Sequence, residues 1–202
     1  GAGLNGKDIN AYLTAGITTD HECVKPEEMI ERVRRGMYVM LREGSAARNL
    51  HDLLAGYSKE LSHRLMFCTD DKHIDDLLEE GSIDYHVREC LKAGIDIYSI
   101  MRMASLNAAQ CYSLKGKGAI APGYDADFIL LNAIEEFDID SVWVNGIRYE
   151  EDNGQAKEAS FENTVILGNY SKELLRLPLT SEIARVIEII PNSIVTKKAQ
   201  YK

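Results

Sequence analysis

Apolar and polar positions along the chain fall into two alternating patterns. Lys7 to Ala15 (KDINAYLTA) has helical spacing and is closed by Gly16. Ile17 to Asp20 is short and strand-like, and it runs into a polar cluster. Pro26 to Arg35 (PEEMIERVRR) predicts a helix: proline in the first turn, acids at its start, arginines at its end and Gly36 as terminator. Met37 to Leu41 is the next strand-like run, Ala46 to Leu61 reads as a helix, and Arg64 to Cys68 (RLMFC) as a third strand. Helical patterns follow at Ile74 to Glu79, at Ile83 to Ala93 before Gly94, and over Asp96 to Leu114 with Asp96 as N-cap. Strand–helix alternation of this kind predicts an α/β fold with parallel strands. About three strands are too few for a closed eight-stranded barrel, which takes roughly 250 residues.

The pattern then changes. Gly116 to Gly123 is turn-rich and Ala126 to Asn132 (ADFILLN) is a buried-type strand. Ser141 to Val144 and Ile147 to Tyr149 flank Asn145-Gly146, which predicts a hairpin closed by a type I′ turn. Glu150 to Asn163 is polar and reads as a linker; Ile183 to Ile190 is an apolar piece too short to bury a core of its own.

Composition narrows the classes. The chain has 202 residues, 45% hydrophobic and 27% charged, which excludes a disordered or collagen-like chain. Its net charge of −9 disfavours nucleic-acid partners. No apolar run reaches the roughly 20 residues of a membrane span, and no signal peptide is read at the start. Cys23, Cys68, Cys90 and Cys111 form no CxxC pair and read as reduced thiols of a cytoplasmic protein.

Three polar clusters each follow a predicted strand: Thr19-Asp20-His21-Glu22, Arg42-Glu43-Gly44-Ser45 and Thr69-Asp70-Asp71-Lys72. Parallel strands converge at their C-terminal ends, where α/β proteins bind and react. His21 reads either as a strand-end histidine bonded to a neighbour or as a metal ligand oriented by Asp20 or Glu22. Asp71 suits a helix N-cap, whereas Asp70 could exchange a proton with a metal-bound water. Adjacent residues point opposite ways, so the two aspartates should not share a role. Arg42, Glu43 and Ser45 form either a solvated loop or a substrate-recognition set. His51, His63, His73 and His86 read as structural or exposed.

AGITTDHE, MLREGSAARN, FCTDD and APGYDADFILLN together resemble the bacterial adenine deaminases of the metal-dependent amidohydrolase superfamily. The last motif marks the superfamily; REGSAARN and CTDD in series are more specific, and RVIEIIPNSIVTK resembles the opening of the family's C-terminal domain. The resemblance implies the C-terminal part of a (β/α)₈ barrel, strands 6 to 8, over residues 1–115. It implies strands of a small β-sandwich over 116–150, and a linker with the start of a further domain over 151–202. It implies hydrolytic deamination of adenine to hypoxanthine with manganese or iron. His21 and Asp70 would be metal ligands, Asp70 also the catalytic proton carrier, and Glu22 and Asp71 would orient them. Arg42, Glu43 and Ser45 would bind substrate.

The family's HxH pair is absent. An internal fragment is therefore expected, which alone holds no metal usefully and is inactive, and which self-associates or pairs with a missing barrel half. The rival readings are another cyclic-amide amidohydrolase and a non-catalytic interaction module.

Overall fold

The computed structural model describes residues 1–150 and 164–202. The polar stretch read as a linker lies, except for Glu150, outside the described residues. Two compact units are present: residues 1–149 with 189–196, and residues 150–188 with 197–202.

In the first unit α1 (Lys7–Thr14), β1 (Thr19–Asp20), α2 (Pro26–Arg34), β2 (Tyr38–Arg42), α3 (Leu50–Leu54) and β3 (Leu65–Cys68) follow in order. Gly36, at φ 93°, takes the left-handed conformation that ends α2. The strands form a parallel sheet in the order β1-β2-β3, with Thr19 beside Tyr38 and Arg42 beside Cys68. The parallel α/β reading of this region therefore holds. Val39, Leu41, Leu65 and Phe67 alternate along β2 and β3. They share one buried cluster with Met29 and Val33 of α2, Leu50 and Leu53 of α3, and Val87 and Cys90 of α5 (Ile83–Lys92). Burying each large apolar side chain is worth about 1.5–3 kcal/mol, so this cluster fixes how the strands lie.

Two expectations are corrected here. The helix expected over Ala46 to Leu61 is only α3; the segment before it folds back on the strand it has just left. Gly44 N–H donates to the Ala47 carbonyl, Asn49 N–H to the Arg42 carbonyl, and Glu43 bridges to Arg48. Those backbone groups are consumed in a hook, so they are unavailable to a helix. Nor is Asp71 a helix cap: α4 (Ile74–Glu79) starts with His73 at the cap position and no side-chain bond.

The expected long helix is α6 (Ile97–Met101), a π-helical turn over Arg102–Leu106, and α7 (Asn107–Cys111). Asp96 caps it, accepting from Ser99 N–H at 3.0 Å. Buried Asn107 ties it to the start of β3, donating to the carbonyls of Ser62 at 2.7 Å and Leu65 at 2.6 Å. β4 (Phe128–Ala133), β5 (Asp138–Val144) and β6 (Ile147–Arg148) form an antiparallel meander. Asn145 and Gly146, at φ 52° and 74°, make the type I′ turn between β5 and β6.

The second unit carries most of β7 (Ala184–Ile189) and β8 (Thr196–Tyr201), which pair with each other. Its Ile166, Leu174, Leu177 and Leu179 are exposed. Among the described residues no helix is long and apolar enough to cross a membrane.

Candidate active site

The C-terminal ends of β1, β2 and β3 lie side by side, and the chain leaving each carries polar residues to one rim. His21 follows β1, Arg42 ends β2, and Asp70 stands two residues beyond β3. His21 Nε2 is 3.8 Å from Asp70 Oδ1 and 3.3 Å from Glu22 Oε1. Arg42 Nη1 lies 3.3 Å from Asp70 Oδ2 and 3.4 Å from Glu22 Oε1. His21, Glu22 and Asp70 are each about two-fifths exposed, whereas the Arg42 side chain is 1% exposed. An imidazole and two carboxylates thus sit at the surface with a guanidinium beneath them. Asp70 has φ 51°, a left-handed conformation that aspartate tolerates better than most residues.

The neighbouring aspartates face elsewhere. Asp20 turns from the rim to α2, where Arg32 Nε approaches its Oδ2 at 2.6 Å with both side chains buried. Burial pushes the Asp20 carboxyl up, but hydrogen bonds from Glu22 N–H, Arg32 and the Gly1 ammonium outweigh this and hold it below the usual aspartate range. Asp71 turns to the hook after β2: its Oδ2 accepts from Ala46 N–H at 2.9 Å, and its buried Oδ1 has no hydrogen-bond partner.

The three residues read as substrate-binding are placed differently from a solvated loop. Arg42 donates to Asn49 Oδ1 at 2.8 Å as well as to the two carboxylates. Glu43 is buried on the other side of the strand end, where it accepts from Leu50 N–H at 3.2 Å. Burial pushes its carboxyl above the usual range, and the Leu50 N–H and the Arg48 charge only partly offset that. It lines a cleft of about 760 Å³ with Arg48, His51 and Tyr85. Ser45 donates to Asp76 and accepts from His73 N–H, stitching the hook to the loop after β3.

Asn49 was missed as a site-supporting residue. The only signal was its place at the end of REGSAARN. His86 is fully buried, its ring nitrogens 3.1 Å from the Ser82 carbonyl and 3.0 Å from the Cys68 carbonyl, so it ties α5 to the end of β3.

A divalent metal is implied by the family resemblance. His21 and Asp70 are suitable donor types, but a catalytic metal ordinarily takes three protein ligands. Among the described residues no group of three or more His, Cys, Asp or Glu is placed to hold one. Arg42 also places a cation against Asp70. These residues do not fit a complete metal site by themselves.

Parallel strands whose C-terminal ends gather an imidazole and carboxylates define the α/β class in which hydrolytic sites are common. Residues 2–148 match the amidohydrolase family, and the chain belongs to it. It is similar to the adenine deaminase of Bacillus licheniformis: 44% identity over 202 residues, covering 97% of this chain and 35% of that protein. The adenine deaminases of Bacillus pumilus and Listeria monocytogenes serotype 4b are each 45% identical, over 98% of this chain and 36% and 35% of theirs. The chain therefore spans about a third of the length of the curated relatives it matches. Among solved structures, the β-aspartyl dipeptidase of Fervidobacterium islandicum AW-1 superposes with TM-score 0.53 at 23% identity, over 80% of this chain and 49% of that one. That likeness concerns the fold alone.

Proposed function

We propose that this chain is part of an adenine deaminase, which hydrolyses adenine to hypoxanthine and ammonia. The observation that carries the reading is the 44% identity extending over nearly the whole chain, the three strand-end segments included. In this reading β1, β2 and β3 are strands 6 to 8 of a (β/α)₈ barrel over residues 1–115. Residues 116–150 are strands of a β-sandwich, and 151–202 open a further domain. Water adds at C6 of the purine and the C6–amine bond breaks. Asp70 takes the proton of the attacking water and returns it to the departing amine. His21 and Asp70 would supply two donors to a manganese or iron ion; Glu22 and Asp71 steady the segments that bear them. Glu43 and Ser45 shape the substrate's surroundings, and the setting is purine salvage in the cytoplasm.

β1 and β3 each pair on one side only among the described residues. Free edges favour pairing, so the chain associates with itself or with the rest of a barrel. Sedimentation should find a dimer or larger species; a clean monomer at high concentration counts against this part.

The function is tested by grafting these 202 residues in place of the matching segment of the Bacillus licheniformis protein and following adenine loss by ultraviolet absorbance. Turnover of adenine that Asp70→Asn abolishes is expected. A folded graft that leaves adenine untouched but hydrolyses another cyclic amide overturns the reading.

A further inference from the structure

Arg42 is a fully buried charge beneath the rim, and its surroundings are asymmetric. Nη2 makes a short bond to Asn49 Oδ1, 2.8 Å, while Nη1 reaches Asp70 and Glu22 at 3.3 and 3.4 Å. Asn49 in turn donates its backbone N–H to the Arg42 carbonyl at 3.0 Å. Residues 42 and 49 are therefore joined twice, main chain to main chain and side chain to side chain, across the hook. A buried guanidinium is costly unless its donors are met. Here the neutral amide anchors one arm, the other is suspended between two carboxylates, and the buried Nε has no hydrogen-bond partner among the described residues. At 1% exposure Arg42 has almost no surface to offer a substrate.

We propose that Arg42, anchored by Asn49, is a positioning residue that draws the carboxylates of Asp70 and Glu22 to either side of His21. It acts through those carboxylates and does not touch substrate. Three features support this. Asp70 and Glu22 come from different strand ends, and Arg42 is the buried partner they share from beneath, while the half-exposed His21 stands 3.3 Å from Glu22 and 3.8 Å from Asp70. Both are otherwise at the solvent edge, where two like charges would drift apart. The planar fork of arginine can serve Asn49 and the carboxylates at once; a lysine ammonium at that depth cannot span all three. The inference deepens the deaminase reading and rests on it for the reaction that Asp70 serves, but the contact itself does not.

The test has two parts. In the chain as it stands, arginine side-chain ¹⁵N spectra report the guanidinium directly. Arg42 should show separate, slowly exchanging Nη signals. Asp70→Asn and Glu22→Gln should each shift them, and Asn49→Ala should merge them by freeing rotation. Arg42 signals indifferent to Asp70→Asn and Glu22→Gln overturn the proposal. In the grafted enzyme, Arg42→Lys and Asn49→Ala should each lower kcat for adenine at least tenfold with KM within threefold. A KM rise at unchanged kcat overturns it, because that assigns Arg42 a direct substrate contact. If Arg42→Lys fails to fold, Asn49→Ala and the carboxylate variants still decide. A graft without adenine turnover, combined with the expected spectra, rejects the deaminase reading and leaves the clamp standing.

Discussion

Gly44 lies where the two loops at the rim touch, and Gly44→Ala is the sharpest test of how they are held. A methyl at residue 44 would sit 1.7 Å from Asp71 Oδ1, 2.8 Å from its Cγ and 2.9 Å from the Thr69 carbonyl oxygen. Ordinary carbon–oxygen contact needs about 3.3 Å, so the carboxylate has to retreat by roughly 1.5 Å. It cannot do so and keep its bond from Ala46 N–H, a hydrogen bond to a charged group, worth about 1.5–3 kcal/mol. The Thr69 carbonyl is backbone and yields less easily, adding about 1 kcal/mol of overpacking. Replacing glycine returns about 0.4–1 kcal/mol through the unfolded chain. The net cost is about 2–3 kcal/mol, or roughly 5–10 °C in melting temperature for a chain of this size. Urea titration followed by circular dichroism measures it. The reasoning also fixes a non-additivity: in Gly44→Ala/Asp71→Ala the worst clash is gone, so alanine at 44 should add no more than about 1 kcal/mol to the cost of Asp71→Ala alone. A Gly44→Ala variant within about 0.5 kcal/mol of the parent, or a strictly additive double variant, refutes the picture of interlocked loops.

Other regions make their own demands. Asp20→Asn removes the charge that balances the buried Arg32, leaving it the Glu28 and Gly1 carbonyls, and should cost about 3–5 kcal/mol at neutral pH. Because the folded protein depresses the Asp20 carboxyl, its contribution is present above the ordinary aspartate range and fades as pH falls through the lowered value, so the gap between variant and parent should shrink in acid unfolding curves. Glu43 behaves oppositely. Burial raises its carboxyl, so the folded state is favoured at low pH and that advantage is lost as pH rises through the raised value; Glu43→Gln should raise the urea midpoint at pH 8 and change it little at pH 4. Burial pushes the thiols of Cys23, Cys68 and Cys90 up to about 12, so iodoacetamide at pH 8 should label none of them before unfolding, with the half-buried Cys111 reacting first in intact-mass spectra.

What could be read from the chain divides along physical lines. The strands were legible because MYVML and LMFC are continuous apolar runs, in which Val39, Leu41, Leu65, Met66 and Phe67 are buried. α2 was legible because proline, acids, arginines and glycine mark both of its ends. The hook after β2 was not. Ser45-Ala46-Ala47-Arg48 has good helix formers, and propensity alone favours continuing them into α3. The competing bonds run to the Arg42 and Ala47 carbonyls, and nothing local announces them. The same blindness affected Arg42. A charged residue followed by Glu-Gly-Ser reads as an exposed loop, and only the packing of β1 and β3 against β2 places it beneath the rim. Asp71 was misread as a cap because its partner, Ala46 N–H, lies 25 residues away in the chain.

The adjacent aspartates show how one strand end can serve stability and a reactive surface together. The left-handed turn at Asp70 sends its carboxylate toward His21 and Arg42 and leaves the next side chain to point into the hook. Asp71 is held at Ala46 in a space that only glycine at position 44 leaves open. Asp70 is held by a guanidinium that the same hook anchors through Asn49. Both carboxylates are thus referred to the segment between Arg42 and Asn49, one through backbone and the other through a side chain. Any displacement of that segment moves the loop after β3 and the rim carboxylate together. Substitutions in the hook should therefore change the geometry around His21 even where they touch none of the residues that face it.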